Sequence, residues 1–234
     1  MSNTRFASGD AIRFGWESFK KHAGFLIGAI VVVGLILGLL YIPQAWALSE
    51  SSTGLYILFY IIYLIAAWVL SIGAVRIMLD IHDGKQPEFS DLFTHWNLLG
   101  KYIAVSILGG IVTMIGFFLL IVPGIIASIG LSLAMYYVID KGMGPIDALK
   151  ASWEDTKGVK LDLLGFFILI WLINMAGAFA LGVGMLVTLP LSGLAMVYVY
   201  RHLSGGSAAP QMATAAPATP AAPEQNMTEP PAQA

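Results

Sequence analysis

Six apolar runs, each close to the length of a membrane crossing, leave this chain few folds to adopt. A helix rises about 1.5 Å per residue and a bilayer's hydrocarbon core is about 30 Å thick, so about 20 apolar residues make a span. The runs occupy residues 24–42, 55–79, 102–122, 124–139, 161–181 and 183–200. The fourth is short for a span. The last two are parted only near Gly182-Val183-Gly184, and one unbroken helix of about 40 residues would be twice a membrane thickness, so a hairpin is expected there. With 58% hydrophobic and 11% charged residues, the chain lacks the polar surface of a soluble globule, where roughly 25% of residues are charged. The expected fold is an all-α integral membrane protein with six transmembrane helices arranged as three hairpins.

Basic residues favour the cytoplasmic side of short loops, and here they fix the threading. Arg5, Arg13, Lys20 and Lys21 precede the first run; Arg76, Lys85 and Lys101 flank the second connection; Lys141, Lys150, Lys157 and Lys160 flank the fourth; Arg201 follows the sixth run. Those are all 12 of the lysines and arginines. The other face holds residues 43–54, a Pro123-Gly124 turn and the Gly182 region, with Glu50 as its only charge. Both termini are therefore expected in the cytoplasm. Ala45-Trp46-Ala47 imitates a signal-peptidase site, but the 19-residue run before it exceeds the roughly 7–15 residues of a signal peptide's apolar region, so the first span is expected to stay uncleaved.

Each outgoing span has an amphipathic approach, over about 10–22, 90–99 and 145–157. Ala11 to Trp16, Asp91 to Trp96 and Ala148 to Trp153 each put a tryptophan at the sixth position, with Lys20, Lys101 or Lys157 four or five residues later. Ile12, Trp16 and Phe19 share one helix face, as do Leu92, Trp96 and Leu99, and Ile146, Leu149 and Trp153. Ser90 and Gly100 suit the caps of the second approach; Pro145 and Gly158 suit the ends of the third. Such helices lie along the inner bilayer surface, tryptophan at the headgroups and lysine beside the phosphates. Trp16, Trp96, Trp153, Lys20, Lys101 and Lys157 are thus the candidate contacts for membrane lipids or a membrane-protein partner. Simple anchoring of the spans explains the same pattern without a further role.

From 204 to 234 the composition turns to Ala, Pro, Ser, Thr and Gln, with six of the eleven prolines and no basic residue. This segment is expected to be a disordered cytoplasmic tail. Its PxxP spacings follow from composition alone.

Chemistry is sparse. Asn174 is the one strongly polar side chain well inside a span, and an amide there either ties two helices together or marks a transport path. Arg76, Asp80, Asp140 and Asp162 lie at the inner interface, where an Arg76 to Asp162 pair is conceivable. The four histidines lack zinc-ligand spacing, there are no cysteines, and no phosphate loop or nucleophile elbow occurs. No cofactor or metal is expected, and a net charge of −2 argues against nucleic acid. Gly24 to Gly28 and Gly34 to Gly38 match GxxxG, which suits close helix packing within the chain or in a homo-oligomer.

The stretch 119–158, with Ile72 to Lys85 and Phe89 to Phe93, resembles the YciC-like bacterial multi-pass membrane proteins. It also resembles the membrane domain fused to some glycerophosphodiester phosphodiesterases. The most specific pieces are Val122-Pro-Gly124, Asp140-Lys-Gly142 and Ala148-Leu-Lys-Ala-Ser-Trp153. The resemblance implies six spans in a bacterial cytoplasmic membrane and says little about activity, since the catalytic domain has no counterpart here. The expected role is non-enzymatic: organisation of the membrane or envelope through lipid or membrane-partner binding. The alternative is a small permease or lipid-translocating protein using Asn174, Pro123 and Pro190.

Overall fold

The computed structural model describes residues 6–180 and 182–205, so nearly all of the tail expected to be disordered lies outside the described residues. The described chain is helical throughout: α1 (Ser8–Ser49), α2 (Thr53–His82), α3 (Asp91–Thr94), a 3-10 turn (Trp96–Leu98), α4 (Leu99–Leu119), α5 (Ile121–Gly130), α6 (Ala134–Lys141), α7 (Pro145–Asp155), α8 (Lys160–Phe179) and α9 (Met185–Leu203). Five segments are long and apolar enough to cross a membrane: 8–49, 53–82, 91–119, 121–141 and 160–179. The 19 residues of α9 also form a helix, but one carrying Pro190, Arg201 and His202.

That helix is the hub. Leu194 packs with Phe19, Leu26, Leu70 and Ile77; Ala195 with Ala11, Ile129, Leu163 and Phe166; Val197 and Tyr200 with Ile72, Leu79, Tyr102 and Val138. Successive side chains of α9 thus point into three apolar clusters, drawn from α1 and α2, from α1, α5 and α8, and from α2, α4 and α6. The end of α9 from Pro190 to Tyr200 is mostly buried by these clusters, while Met185 and Leu189 near its start stay exposed. The core lies toward the end of the bundle that carries the charged residues. At the opposite end the helices expose large apolar side chains, among them Phe118 at 93% and Phe179 at 82%. Hydrocarbon would cover such a surface without cost, whereas soluble proteins rarely expose contiguous apolar patches of this kind.

Several boundaries depart from the sequence reading. The first approach is continuous with the first span, forming a 42-residue α1 bent at His22 (φ −119°, ψ 20°). α1 also passes through Pro43 to Ser49, leaving only residues 50–52 to turn the chain, with Ser51 at φ 53°. The second approach is one helical turn and one 3-10 turn, not a helix over 90–99. Ser90 makes no cap, since its hydroxyl goes to Glu88 Oε2 at 3.1 Å, and Gly100 lies inside α4.

The Pro123-Gly124 turn is also displaced: the break falls at Leu120, which is extended (φ −167°, ψ 159°), and Pro123 sits in the first turn of α5. Proline is tolerated there because the first N–H groups of a helix have no carbonyl to bond. Gly124 instead serves packing, for a Cβ added at Gly116 would stand 2.9 Å from the Gly124 Cα. The fourth run, finally, is two helices, interrupted at 131–133 between α5 and α6.

The weak internal repeat has a three-dimensional counterpart. The head of α1 rests on α9, where a Cβ at Gly15 would stand 2.7 Å from the Leu191 carbonyl oxygen. α3 rests on α2, with Leu92 against Gly73, and α7 rests on the end of α5, with Trp153 against Gly130. Each approach docks on the helix that completes the preceding unit, and the first docks on the last.

Candidate functional site

The first and third approaches bury mostly small residues and the second buries Leu92. Ala11, Gly15, Ser18 and Phe19 are the buried positions in the head of α1, and Ala148 and Ser152 those of α7. Trp16 is left 43% exposed, Trp96 69% and Trp153 36%. Trp16 stacks on Phe19 with ring centroids 6.0 Å apart, and Lys20 Nζ stands 5.7 Å from its ring. The cation at Trp153 is Lys160, 3.3 Å from the ring, whereas the sequence reading assigned Lys157. Lys157 follows the end of α7 at Asp155. Lys101 does not sit with Trp96: its Nζ donates to the Gly142 carbonyl at 2.7 Å, next to the end of α6. Cations are favoured at helix C-termini because the last carbonyls point there unpaired.

The same end holds an ion-pair cluster that joins three helices. Arg201 Nη1 donates to Asp140 Oδ2 at 2.8 Å and Nη2 to Asp83 Oδ2 at 2.6 Å, while Tyr200 Oη also donates to Asp140 at 2.8 Å. Arg201 Nε is buried without a partner among the described residues. Arg76 pairs with Asp80 at 3.1 Å, and Lys85 reaches the same carboxylate at 2.8 Å, so the conceivable Arg76 to Asp162 pair is replaced by an i, i+4 pair within α2. His82 is buried, with Phe14 and Tyr198 against its ring.

The interruption at 131–133 is repaired from α7. Ser152 Oγ donates to the Gly130 carbonyl at 2.8 Å and accepts from Leu133 N at 3.1 Å; Thr156 Oγ1 reaches the Gly130 carbonyl at 3.3 Å. Both side chains are fully buried. Their i, i+4 spacing is visible in the sequence, but the break that gives it meaning is not.

Asn174 faces α9. Its Nδ2 donates to the Ile170 carbonyl at 3.0 Å and to Ser192 Oγ at 2.9 Å, and Ser192 donates on to the Thr188 carbonyl at 2.6 Å. Asn174 Oδ1 and Thr188 Oγ1 are buried without partners among the described residues. Of the GxxxG glycines, Gly28 meets Phe89, while a Cβ at Gly24, Gly34 or Gly38 would meet nothing. Among the described residues no three His, Asp or Glu side chains converge as metal ligands would.

Fold and site together define an all-helical protein whose long apolar helices suit a membrane and which leaves Trp16, Trp96 and Trp153 partly exposed. The chain belongs to the family described as Domain of unknown function (DUF7847), whose model matches residues 92–229. Uncharacterized protein Rv2560 of Mycobacterium tuberculosis (strain ATCC 25618 / H37Rv) is 30% identical over 88% of this chain and 71% of its own length. Uncharacterized protein Mb2590 of Mycobacterium bovis is 29% identical over the same shares. Neither the family nor these relatives carries the YciC-like or phosphodiesterase name that the sequence resemblance suggested. No solved structure matches.

Proposed function

We propose that this chain is a non-enzymatic protein of the bacterial cytoplasmic membrane, crossing it six times with the charged end in the cytoplasm, and that it organises the membrane by holding lipid headgroups or a membrane partner at that end. The observation that carries the reading is the outward exposure of Trp16, Trp96 and Trp153 on three elements docked to one end of the bundle. Tryptophan at headgroup level beside lysine is the arrangement that membrane interfaces favour. The positive-inside pattern supports the orientation, and the exposed apolar far half supports insertion. A second copy of the chain is among the partners this reading admits.

The test replaces all three tryptophans by alanine in the full chain. Lipids and proteins that co-purify with the wild type are expected to be lost, with helix content by circular dichroism retained. Co-purification unchanged in a folded triple variant counts against the proposal. Two unpaired oxygens, Asn174 Oδ1 and Thr188 Oγ1, favour a second reading as a small permease or lipid translocator. That reading requires solute or lipid movement in proteoliposomes that Asn174→Ala abolishes; an absence of flux across a broad panel removes it.

A further inference from the structure

The hairpins of this protein are unequal in length. α2 and α9 run parallel from a shared charged end, and four contacts set their register: Asp83 with Arg201 at 2.6 Å, the His82 ring with Tyr198, Met78 with Gly193, and Leu70 in the cluster that Val187 joins. Residue numbers fall together along the two helices. The start of α9 at Met185 therefore lies level with Ala67 of α2, which continues to Thr53, about 14 residues and about 21 Å further. The α4–α5 hairpin is shallow as well: α4 has 21 residues against 30 in α2, and Lys101 ties its start to the charged end at Gly142.

The far ends differ in chemistry too. The α1–α2 turn reads Ser49-Glu50-Ser51-Ser52-Thr53, and Tyr41, Trp46 and Tyr60 are exposed near it. A polar turn above a belt of tyrosine and tryptophan is the pattern of a membrane interface. The turns over 118–124 and 178–184 read FLLIVPG and AFALGVG, with no charge, hydroxyl, tyrosine or tryptophan. Phe118, Leu120, Phe179 and Val183 are exposed there.

No flat bilayer suits both ends. With its outer surface at the belt, the two short turns would lie deep in hydrocarbon, where lipid-exposed irregular backbone is not tolerated because no water meets its N–H and C=O groups. With its outer surface at the short turns, Leu39, Ile42, Trp46, Leu55 and Ile57 would stand together in water, an apolar patch that soluble surfaces rarely carry. We infer that the protein thins the bilayer on one side: the outer leaflet meets the belt beside α1 and α2 and dips to the short turns beside α4–α5 and α8–α9. Bilayers thin around short apolar stretches, and tilt of the long hairpin takes up part of the step. The inference rests on the membrane reading above and deepens it by naming what is organised, the local thickness of the outer leaflet.

The register puts Val183 level with Ile65, and both side chains are exposed. Val183→Cys and Ile65→Cys variants of the full chain are labelled with bimane and reconstituted into dioleoylphosphatidylcholine vesicles. The vesicles contain phospholipid brominated either near the headgroup or near the chain end. Shallow bromine is expected to quench the label at 183 several-fold more than deep bromine, with the order reversed at 65. Lys85→Cys and His202→Cys, close to one level at the charged end, are expected to read the same shallow depth; unequal depths there would trace the difference to tilt of the whole molecule and overturn the proposal. Shallow readings at both 183 and 65 mean a flat bilayer from which the α1–α2 tip protrudes, which overturns the thinning and leaves six crossings standing. A deep reading at 183 means that the α8–α9 hairpin stops inside the hydrocarbon, which defeats the six crossings as well, and failure to enter vesicles defeats the membrane reading itself. Quenching at 183 by neither brominated lipid nor aqueous iodide marks a site covered by a second copy and also overturns the proposal. Should either variant fail to fold, Phe179→Cys and Ile62→Cys repeat the comparison.

Discussion

Ser152 shows how much one hydroxyl can carry. It bonds both the Gly130 carbonyl and the Leu133 amide, two groups that the break between α5 and α6 takes out of the helical ladder. Ser152→Ala leaves the Leu133 amide unpaired in a dry site and the Gly130 carbonyl with only the longer Thr156 bond, and a loss of about 1–3 kcal/mol is expected in thermal or denaturant unfolding of the purified protein. Ser132→Ala, whose hydroxyl only bonds the Ile129 carbonyl three residues back, serves as the control and is expected to stay within about 0.5 kcal/mol. Arg201 is a second such residue. Arg201→Met strands the nearly buried Asp140 and is expected to cost about 3 kcal/mol, while Asp83→Asn, at a carboxylate one-third exposed, costs under about 1 kcal/mol. A double change of Arg201 and Asp140 that loses as much as the two single changes summed would show that the pair is not coupled. Spacing in sequence reveals the Arg76 and Asp80 pair, four residues apart, yet Arg201 lies 61 and 118 residues from its partners. Nothing local announces that contact; only the convergence of three helix ends creates it.

At the scale of elements, hydropathy locates the apolar helices well and their ends poorly. Apolar content is a property of the run itself, so spans read over 55–79 and 161–181 appear as α2 and α8 with ends shifted by a few residues. Ends depend on what packs beside them. The interruption at 131–133 persists because α7 supplies its hydrogen bonds, and Leu92 is drawn against the bare Gly73 of α2, leaving α3 a single turn. The α4–α5 junction gives the clearest test. Were Pro123 and Gly124 the turn, both would be needed for its shape. With the break at Leu120, Pro123→Ala restores an N–H that has no carbonyl to find, and stability is expected to change by less than about 0.5 kcal/mol. Gly124→Leu drives a side chain into the Phe117 ring and is expected to cost about 1–3 kcal/mol or more by overpacking. Comparable losses for the two substitutions in a thermal-shift assay would return the turn to Pro123-Gly124.

For the molecule as a whole, the threading turns on whether the hub helix α9 crosses the bilayer with the others. The sequence ranks its run as the sixth span, and α9 packs against α1, α2 and α8 while leaving Met185 and Leu189 exposed. Its contacts with α8 run antiparallel, Asn174 meeting Ser192 and Gly177 meeting Thr188, and α8 has the length and composition of a span. A helix folded back along a spanning helix over its whole length must return to the side from which that helix started. The chain has no cysteine, so single-cysteine variants report position without background. Val183→Cys and Glu50→Cys are expected to react with a membrane-impermeant maleimide added to intact cells. Lys85→Cys and His202→Cys are expected to react only in inverted membrane vesicles. If the residue 183 and residue 202 variants instead label from one side, α9 does not span, the carboxyl end lies opposite the amino end, and Trp16, Trp96 and Trp153 cannot share a membrane surface with the tail.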